Sequence, residues 1–288
     1  MSYRSERWFE WFNAVALILI ALSMLAPLVH LLALSLSSIE HVNARTVGFW
    51  PKDLQTQVYG EIFGMDRLWR SMGISIYITV AGTALCLLLS TSLAFALSRA
   101  YMPGRAWIMK GIIATFVFSI PMIPSYLVVK ELSMENTLWS LIVPGALGAF
   151  YVVILKTFFQ GISSELFDAA KIDGSHEISV YFRLVLPLSK PVLATMALFH
   201  AVGQWNSYFG ALIFLRDRTL YPLQLVLREL VVEEQANVLV YDNPALAATT
   251  PEMMKAGVIL FATLPIVMVY PFLQKHFVKG AMLGSLKE

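Results

Sequence analysis

The chain has 288 residues, 58% of them hydrophobic and only 14% charged, where an ordinary soluble domain carries about 25% charged residues. That balance excludes a water-soluble globule. The net charge is +2, and the 21 basic residues gather into no stripe or tail that would track phosphates, so nucleic acid is not an expected partner.

A helix that crosses a membrane needs about 20 apolar residues with few or no charges. Six stretches free of Asp, Glu, Lys and Arg meet that need. The first, Trp11 to Ile39, reads as a span over 12–36. It exceeds the roughly 7–15 residues of a secretory signal core, and no small-x-small site closes it before Glu40, so it is expected to remain as a first helix. After a loop from about Glu40 to Arg70 comes Ser71 to Ser98, read as a span over 72–98. Within it Ser90, Ala94 and Ser98 recur at every fourth position, a face that lets another helix approach closely. Packing within the subunit is the preferred reading of that face over a seam between subunits. Cys86, in the same stretch, is the only cysteine, which excludes a disulfide within the chain.

The third and fourth stretches, Gly111 to Val129 and Asn136 to Leu155, read as spans over 109–129 and 137–157. Pro121 and Pro124 can kink the third. Between the fourth and fifth stretches, residues 161–191 read as two short helices. Ile162, Leu166, Ala169 and Ala170 share one face of the first, Gly174 is placed to end it in a left-handed cap, and Ser175 to cap the start of the second. Ile178, Tyr181, Phe182 and Val185 then repeat at i, i+3, i+4, i+7, and Pro187 and Pro191 break the segment before the fifth stretch. Such an amphipathic pair either rests on lipid or offers a knob to a partner's groove.

The fifth stretch, Pro191 to Leu215, reads as a span over 192–215. His200, Gln204, Trp205, Asn206 and Tyr208 gather in its middle, where facing hydrocarbon is costly, so they are expected to point into the bundle as candidates for a solute path. For any one of them, interhelical hydrogen bonding is the competing reading. In the loop 216–255, Leu223, Val226, Leu227 and Leu230 predict a short amphipathic helix near the membrane boundary, either packed there or acting in docking or gating. The sixth stretch, Ala256 to Gln274, reads as a span over 256–274 with Pro265 inside it, and 275–288 is left as a tail.

Lys and Arg in short loops set the orientation. The loop Arg99 to Lys110 holds three basic residues and no acid, whereas Lys130 to Glu135 holds one Lys against two Glu. Placing the first inside puts both termini in the cytoplasm, with 12 basic and 7 acidic residues inside against 9 and 12 outside. Catalysis has no candidate group. There is no G-x-S-x-G, no i,i+4 pair among His30, His41, His176, His200 and His276, and no G-x-x-x-x-G-K-[ST] phosphate loop. The chain is therefore expected to be noncatalytic and to bind no cofactor or metal, with any use of ATP falling to another subunit. Apolar stretches without Asp, Glu, Lys or Arg also lower the case for the main alternative, a stand-alone ion-coupled carrier or channel.

The segment Asp168-Ala169-Ala170, Asp173-Gly174-Ser175, Phe182 and Leu186-Pro187 to Pro191 closely resembles the E-A-A-x-x-D-G-A motif, apolar helix and L-P-x-x-x-P of the permease subunits of binding-protein-dependent ABC importers. Phe49-Trp50-Pro51, Asn136-Thr137-Leu138-Trp139, Trp205-Asn206 and Tyr221-Pro222-Leu223 extend the similarity over most of the chain. It looks like the carbohydrate-importing branch, in particular the six-helix partner of the maltose-type permeases and a subgroup handling larger or acidic oligosaccharides. The resemblance implies an all-α, six-helix type I importer permease fold in a bacterial inner membrane. It also implies a second permease, an ATPase dimer that binds ATP and Mg, an external solute-binding protein and a carbohydrate substrate. The motif residues Asp168, Ala169, Ala170, Asp173, Gly174, Ser175, Phe182 and Pro187 would form a coupling helix seated in the ATPase, with Asp168 paired to a base there. Asp168 stands where the family has Glu, Ser175 where it commonly has Ala, and Ser164 where Pro is frequent.

Overall fold

The first apolar stretch folds as one helix, α1 (Tyr3–Ser35), whose most apolar window is wholly uncovered within the chain. Apolar side chains all round its circumference, from Trp8 to Leu32, suit a lipid solvent and no other. The structure, a computed structural model, describes residues 3–118, 120–232 and 249–285, and every regular element among them is helical. The chain packs as two compact units, Met1–Trp69 with Val226–Pro265, and Arg70–Leu225 with Ile266–Glu288.

In the first unit, α1 stops at a serine-rich turn that folds the following loop back on itself. Ser37 Oγ donates to Ala33 O at 2.6 Å and accepts the Lys52 N–H at 3.0 Å, while Ser35 Oγ and the Tyr59 hydroxyl lie 2.7 Å apart. Two short helices, α2 (Ile39–Asn43) and α3 (Gln57–Gly64), lead to α4 (Asp66–Ser98). The last helix, α15 (Pro251–Ser285), lies against α3. Its Gly257 permits the approach, because a Cβ there would sit 2.5 Å from Ile62 Cδ1 and 2.9 Å from Val58 Cγ1, both on fully buried residues. Phe63, Trp69 and Phe261 meet with ring centroids 5.4–6.1 Å apart. The helix predicted in the outer loop is α14 (Leu223–Val232). It is packed into protein on more than the predicted face. Leu223 and Leu225 are fully buried in the second unit, and Val226, Glu229 and Leu230 are buried in the first, where Glu229 pairs with Arg67. The predicted loop 216–255 also includes residues outside the described ones, 233–248.

In the second unit the apolar stretches depart from six unbroken rods. Among the described residues, only α1, α4 and α15 are single helices long and apolar enough to cross a membrane. The third stretch is α5 (Arg105–Val117) and α6 (Met122–Glu131). Pro121 is the N-cap of α6 and Pro124 lies in its first turn, where a missing N–H leaves no bond unmade. Pro144 and Gly145 divide the fourth into α7 (Trp139–Ile142) and α8 (Ala149–Gln160). An extended Ser207 divides the fifth into α12 (Lys190–Asn206) and α13 (Phe209–Phe214). The sixth runs longer than predicted, since α15 continues through the expected start of the tail to Ser285; residues 286–288 lie outside the described ones.

Hydrocarbon is as apolar as leucine, so close packing and hydrogen bonds, not the hydrophobic effect, must hold these helices together. The small-residue face of α4 serves that end within the chain: Ser90 and Ala94 have no exposed surface, and Ala94 joins Leu97, Val152, Leu155, Phe159 and Met196 in one core. At the other end, Asn136, with φ +56°, accepts the N–H groups of Arg216 and Asp217 on its Oδ1 at 3.0 and 2.9 Å and donates its own N–H to Phe214 O. Ala211, Leu215 and Leu225 close a second core beside Leu141 and Tyr221. The Asn136 and Tyr221 motifs, far apart in sequence, therefore converge on α13 and the residues that follow it.

Candidate functional site

Residues 161–191 fold as a helical hairpin with a bare tip. Ser163 caps α9 (Ser164–Ile172) by accepting the Glu165 N–H at 3.3 Å. Phe167, with Ile162 and Ala170 beside it, is the face that packs on the core, whereas Leu166 is 43% exposed and Ala169 is exposed, so the predicted face is rotated. The helix ends in a Schellman motif. The Ser175 N–H bonds Ala170 O at 2.9 Å, the Gly174 N–H bonds Lys171 O at 3.0 Å, and Gly174 takes the left-handed conformation at φ +72° that only glycine adopts without strain. His176, not Ser175, is the N-cap of the next helix. Every residue from Lys171 to Ile178 is exposed, with Ile172 at 87%, and no atom lies within 4 Å of where a Gly174 Cβ would be.

The second arm is one continuous run, Glu177–Leu188, made of α10 (Glu177–Val180), a π turn (Tyr181–Val185) and α11 (Leu186–Leu188). Pro187 lacks an N–H and its ring needs room, and the wide turn just before it provides that room. The wider turn also shifts the helical phase. Val180, Tyr181 and Val185 are buried, while the predicted face residues Ile178 and Phe182 stay 73% and 55% exposed. The run then bends by 79° at Ser189 into α12.

Of the predicted coupling residues, Asp168, Ala169, Asp173, Gly174, Ser175, Phe182 and Pro187 are exposed and Ala170 is half-buried. Asp168 forms no ion pair among the described residues. An exposed, uncompensated carboxylate beside a glycine turn and a bare isoleucine is a surface shaped to enter something else.

Sequence reasoning missed the residue that roots this hairpin. Arg99, just past α4, has its guanidinium carbon 3.7 Å from the Phe167 ring centre and 4.5 Å from that of Phe95. Its Nε is 3.8 Å from Glu177 Oε2, and Glu177 Oε1 accepts the Tyr101 hydroxyl at 2.5 Å. Partial burial, followed by that bond and the Glu177 charge, raises the Tyr101 phenol above its usual range, so it remains a donor at neutral pH. The signal in the sequence was an arginine at the end of an apolar stretch, which reads as an ordinary boundary charge.

The mid-bundle residues divide. His200 is buried, with Nδ1 3.1 Å from Thr83 Oγ1 and Nε2 3.4 Å from Gly145 O, and Gln204 Nε2 donates to Leu141 O at 2.9 Å. The break between α7 and α8 denies Leu141 O its helical partner, and a side chain of α12 takes that place. Gly82 of α4 faces the His200 ring, and a Cβ there would lie 3.5 Å from it, an ordinary van der Waals contact. Trp205 is buried with its indole N–H unbonded among the described residues, Asn206 turns back to Val202 O, and Tyr208 stands beyond the helix break, 41% exposed. His200 and Gln204 thus both cross to other helices, whereas Asn206 bonds back within its own.

Residues 100–282 match the family model of the binding-protein-dependent transport system inner membrane component. The chain belongs to this family. The chain is 40% identical, over 94% of its length and 95% of the relative's, to the polygalacturonan/rhamnogalacturonan transport system permease protein YtcP of Bacillus subtilis (strain 168). It is 42% identical, over 91% of its length and 88% of the relative's, to protein LplC of the same organism. A chain in the crystal structure of a bacterial ABC transporter involved in the import of the acidic polysaccharide alginate superposes with a TM-score of 0.86 at 31% identity, covering 96% of this chain and 99% of that one. The protein is thus an all-α, multi-pass permease subunit of an ABC importer. The matched region of this transport-system component contains both the hairpin and the His200 cluster.

Proposed function

We propose that this permease forms one half of the pathway by which a carboxylate-bearing oligosaccharide, delivered by an external binding protein, enters the cytoplasm. A related permease supplies the other half and a separate ATPase dimer, holding ATP and Mg, supplies the energy. Both termini and the hairpin face the cytoplasm, where positive charge in the short loop after α4 favours them. The observation that carries the reading is the hairpin tip. Its eight consecutive exposed residues turn on a left-handed Gly174, next to an unpaired Asp168, as a socket on an ATPase would require. Support for the solute class is the alginate transporter together with the polygalacturonan/rhamnogalacturonan permease. The six uncharged apolar stretches hold no Lys or Arg to neutralise a carboxylate, so selection for the acid rests with the binding protein. His200, Gln204, Trp205, Asn206 and Tyr208 are the proposed path residues of the fifth stretch, with His200 and Gln204 held by hydrogen bonds to other helices.

Asp168→Arg tests the socket. The residue is exposed and forms no ion pair among the described residues, so its reversal leaves the fold intact. Unpairing a charge buried at an interface costs about 2–5 kcal/mol, so the amount of ATPase retained on the affinity-tagged complex falls by about tenfold or more. Asp168→Glu retains it. Full retention by the Arg variant would rule out this seat.

A further inference from the structure

We propose that Arg99 is a positioning residue that joins the hairpin to α4, and that closure of its Nε on Glu177 switches α4 as the hairpin moves. This inference rests on the coupling role proposed above. Both arms of the hairpin reach the same guanidinium: Phe167 of α9 covers one side at 3.7 Å, and Glu177, at the start of the second arm, stands 3.8 Å from Nε. Phe95, from the last turns of α4, lies 4.5 Å from the same group. Two further ties bind the arms to this end of α4. The Tyr181 hydroxyl of the π turn is 2.6 Å from Thr91 Oγ1, and Lys171 Nζ is 5.2 Å from the Tyr101 ring centre.

The joint is incomplete as it stands. The Nε donor is buried and has no acceptor among the described residues, which leaves its polarity uncompensated. Its nearest carboxylate, that of Glu177, accepts the Tyr101 hydroxyl on Oε1 and leaves Oε2 3.8 Å from Nε. A displacement of under about 1 Å brings Oε2 to hydrogen-bond distance from Nε and completes a charged bond. Movement of the tip therefore sets how far the joint closes on Arg99. Helix α4 carries the result inward, because Thr83, which meets His200, lies on the same unbroken helix about 24 Å from Arg99.

The test is solute taken up per ATP hydrolysed, in vesicles containing this chain, its partner permease, the ATPase and loaded binding protein. Arg99→Lys keeps the charge but removes the planar fork and its Nε donor. Glu177→Gln removes the charge, and Tyr101→Phe, at a residue 60% exposed and safe for folding, frees Glu177 to lock onto Arg99. Each is expected to assemble and hydrolyse ATP while uptake per ATP falls about fivefold. Arg99→Lys combined with Glu177→Gln is expected to fall no further than either alone, as for groups acting as one unit. Unchanged uptake per ATP in the variants, multiplying losses in the double variant, or failure of Arg99→Lys and Tyr101→Phe to assemble would each overturn the joint. A wild-type complex that does not couple hydrolysis to solute would instead defeat the reading on which the joint rests.

Discussion

Gly174→Asp leaves the permease folded and inserted, yet removes the stimulation of ATP hydrolysis by loaded binding protein, while Gly174→Ala keeps most of it. The order of the two variants is the informative part. A side chain at φ +72° costs about 1–2 kcal/mol, and Asp tolerates that conformation better than Ala. If backbone strain were the cause, Ala would be the worse substitution. Nothing among the described residues lies within 4 Å of the added Cβ, so no internal clash separates them either. What separates them is a socket, in which the added carboxylate is buried without a partner at a cost of several kcal/mol, or about tenfold for each 1.4 kcal/mol. Hydrolysis by the purified complex in lipid, with and without loaded binding protein, reads the difference. Equal stimulation in Gly174→Asp and wild type would remove the tip from the coupling path.

Arg67→Met lowers the stability of the permease by about 3 kcal/mol, and Arg67→Met with Glu229→Gln recovers most of that loss. Glu229 on α14 is 5% exposed and its carboxylate is held by the Arg67 guanidinium at the start of α4. Removing the arginine strands a charge in protein, whereas removing both charges leaves only a neutral amide to be satisfied. Thermal unfolding in detergent of the wild type, both single variants and the double variant gives the coupling energy directly. Additive effects would show that α14 is held by its apolar face alone.

The membrane class, the extent of the apolar stretches and the Gly174 cap were legible in the sequence, because each rests on local chemistry: absence of charge, length and a left-handed turn. The breaks within the third, fourth and fifth stretches were less so. Pro121 was seen as a kink, but Pro144 and Gly145 gave no sign that α12 would supply Gln204 to the freed carbonyl of Leu141. The faces of the hairpin were misread for a physical reason. A 3.6-residue period was carried through Tyr181–Val185, where the chain makes a π turn, so Phe182, which is exposed, was grouped on one face with Tyr181 and Val185, which are buried. Arg99 was passed over because its partners, Phe95, Phe167 and Glu177, come from three separate helices. Among the path candidates, composition could not separate His200 and Gln204, which cross to other helices, from Asn206, which bonds back within its own.

The central claim is that this chain is an indispensable half of an energised pathway and transports nothing alone. Its most direct test is uptake of a labelled carboxylate-bearing oligosaccharide into vesicles loaded with ATP and Mg, comparing three preparations supplied with binding protein. These are the full complex, the complex without this chain, and this chain by itself. The account predicts uptake in the first alone. Uptake driven by this chain by itself, or undiminished uptake without it, would contradict it.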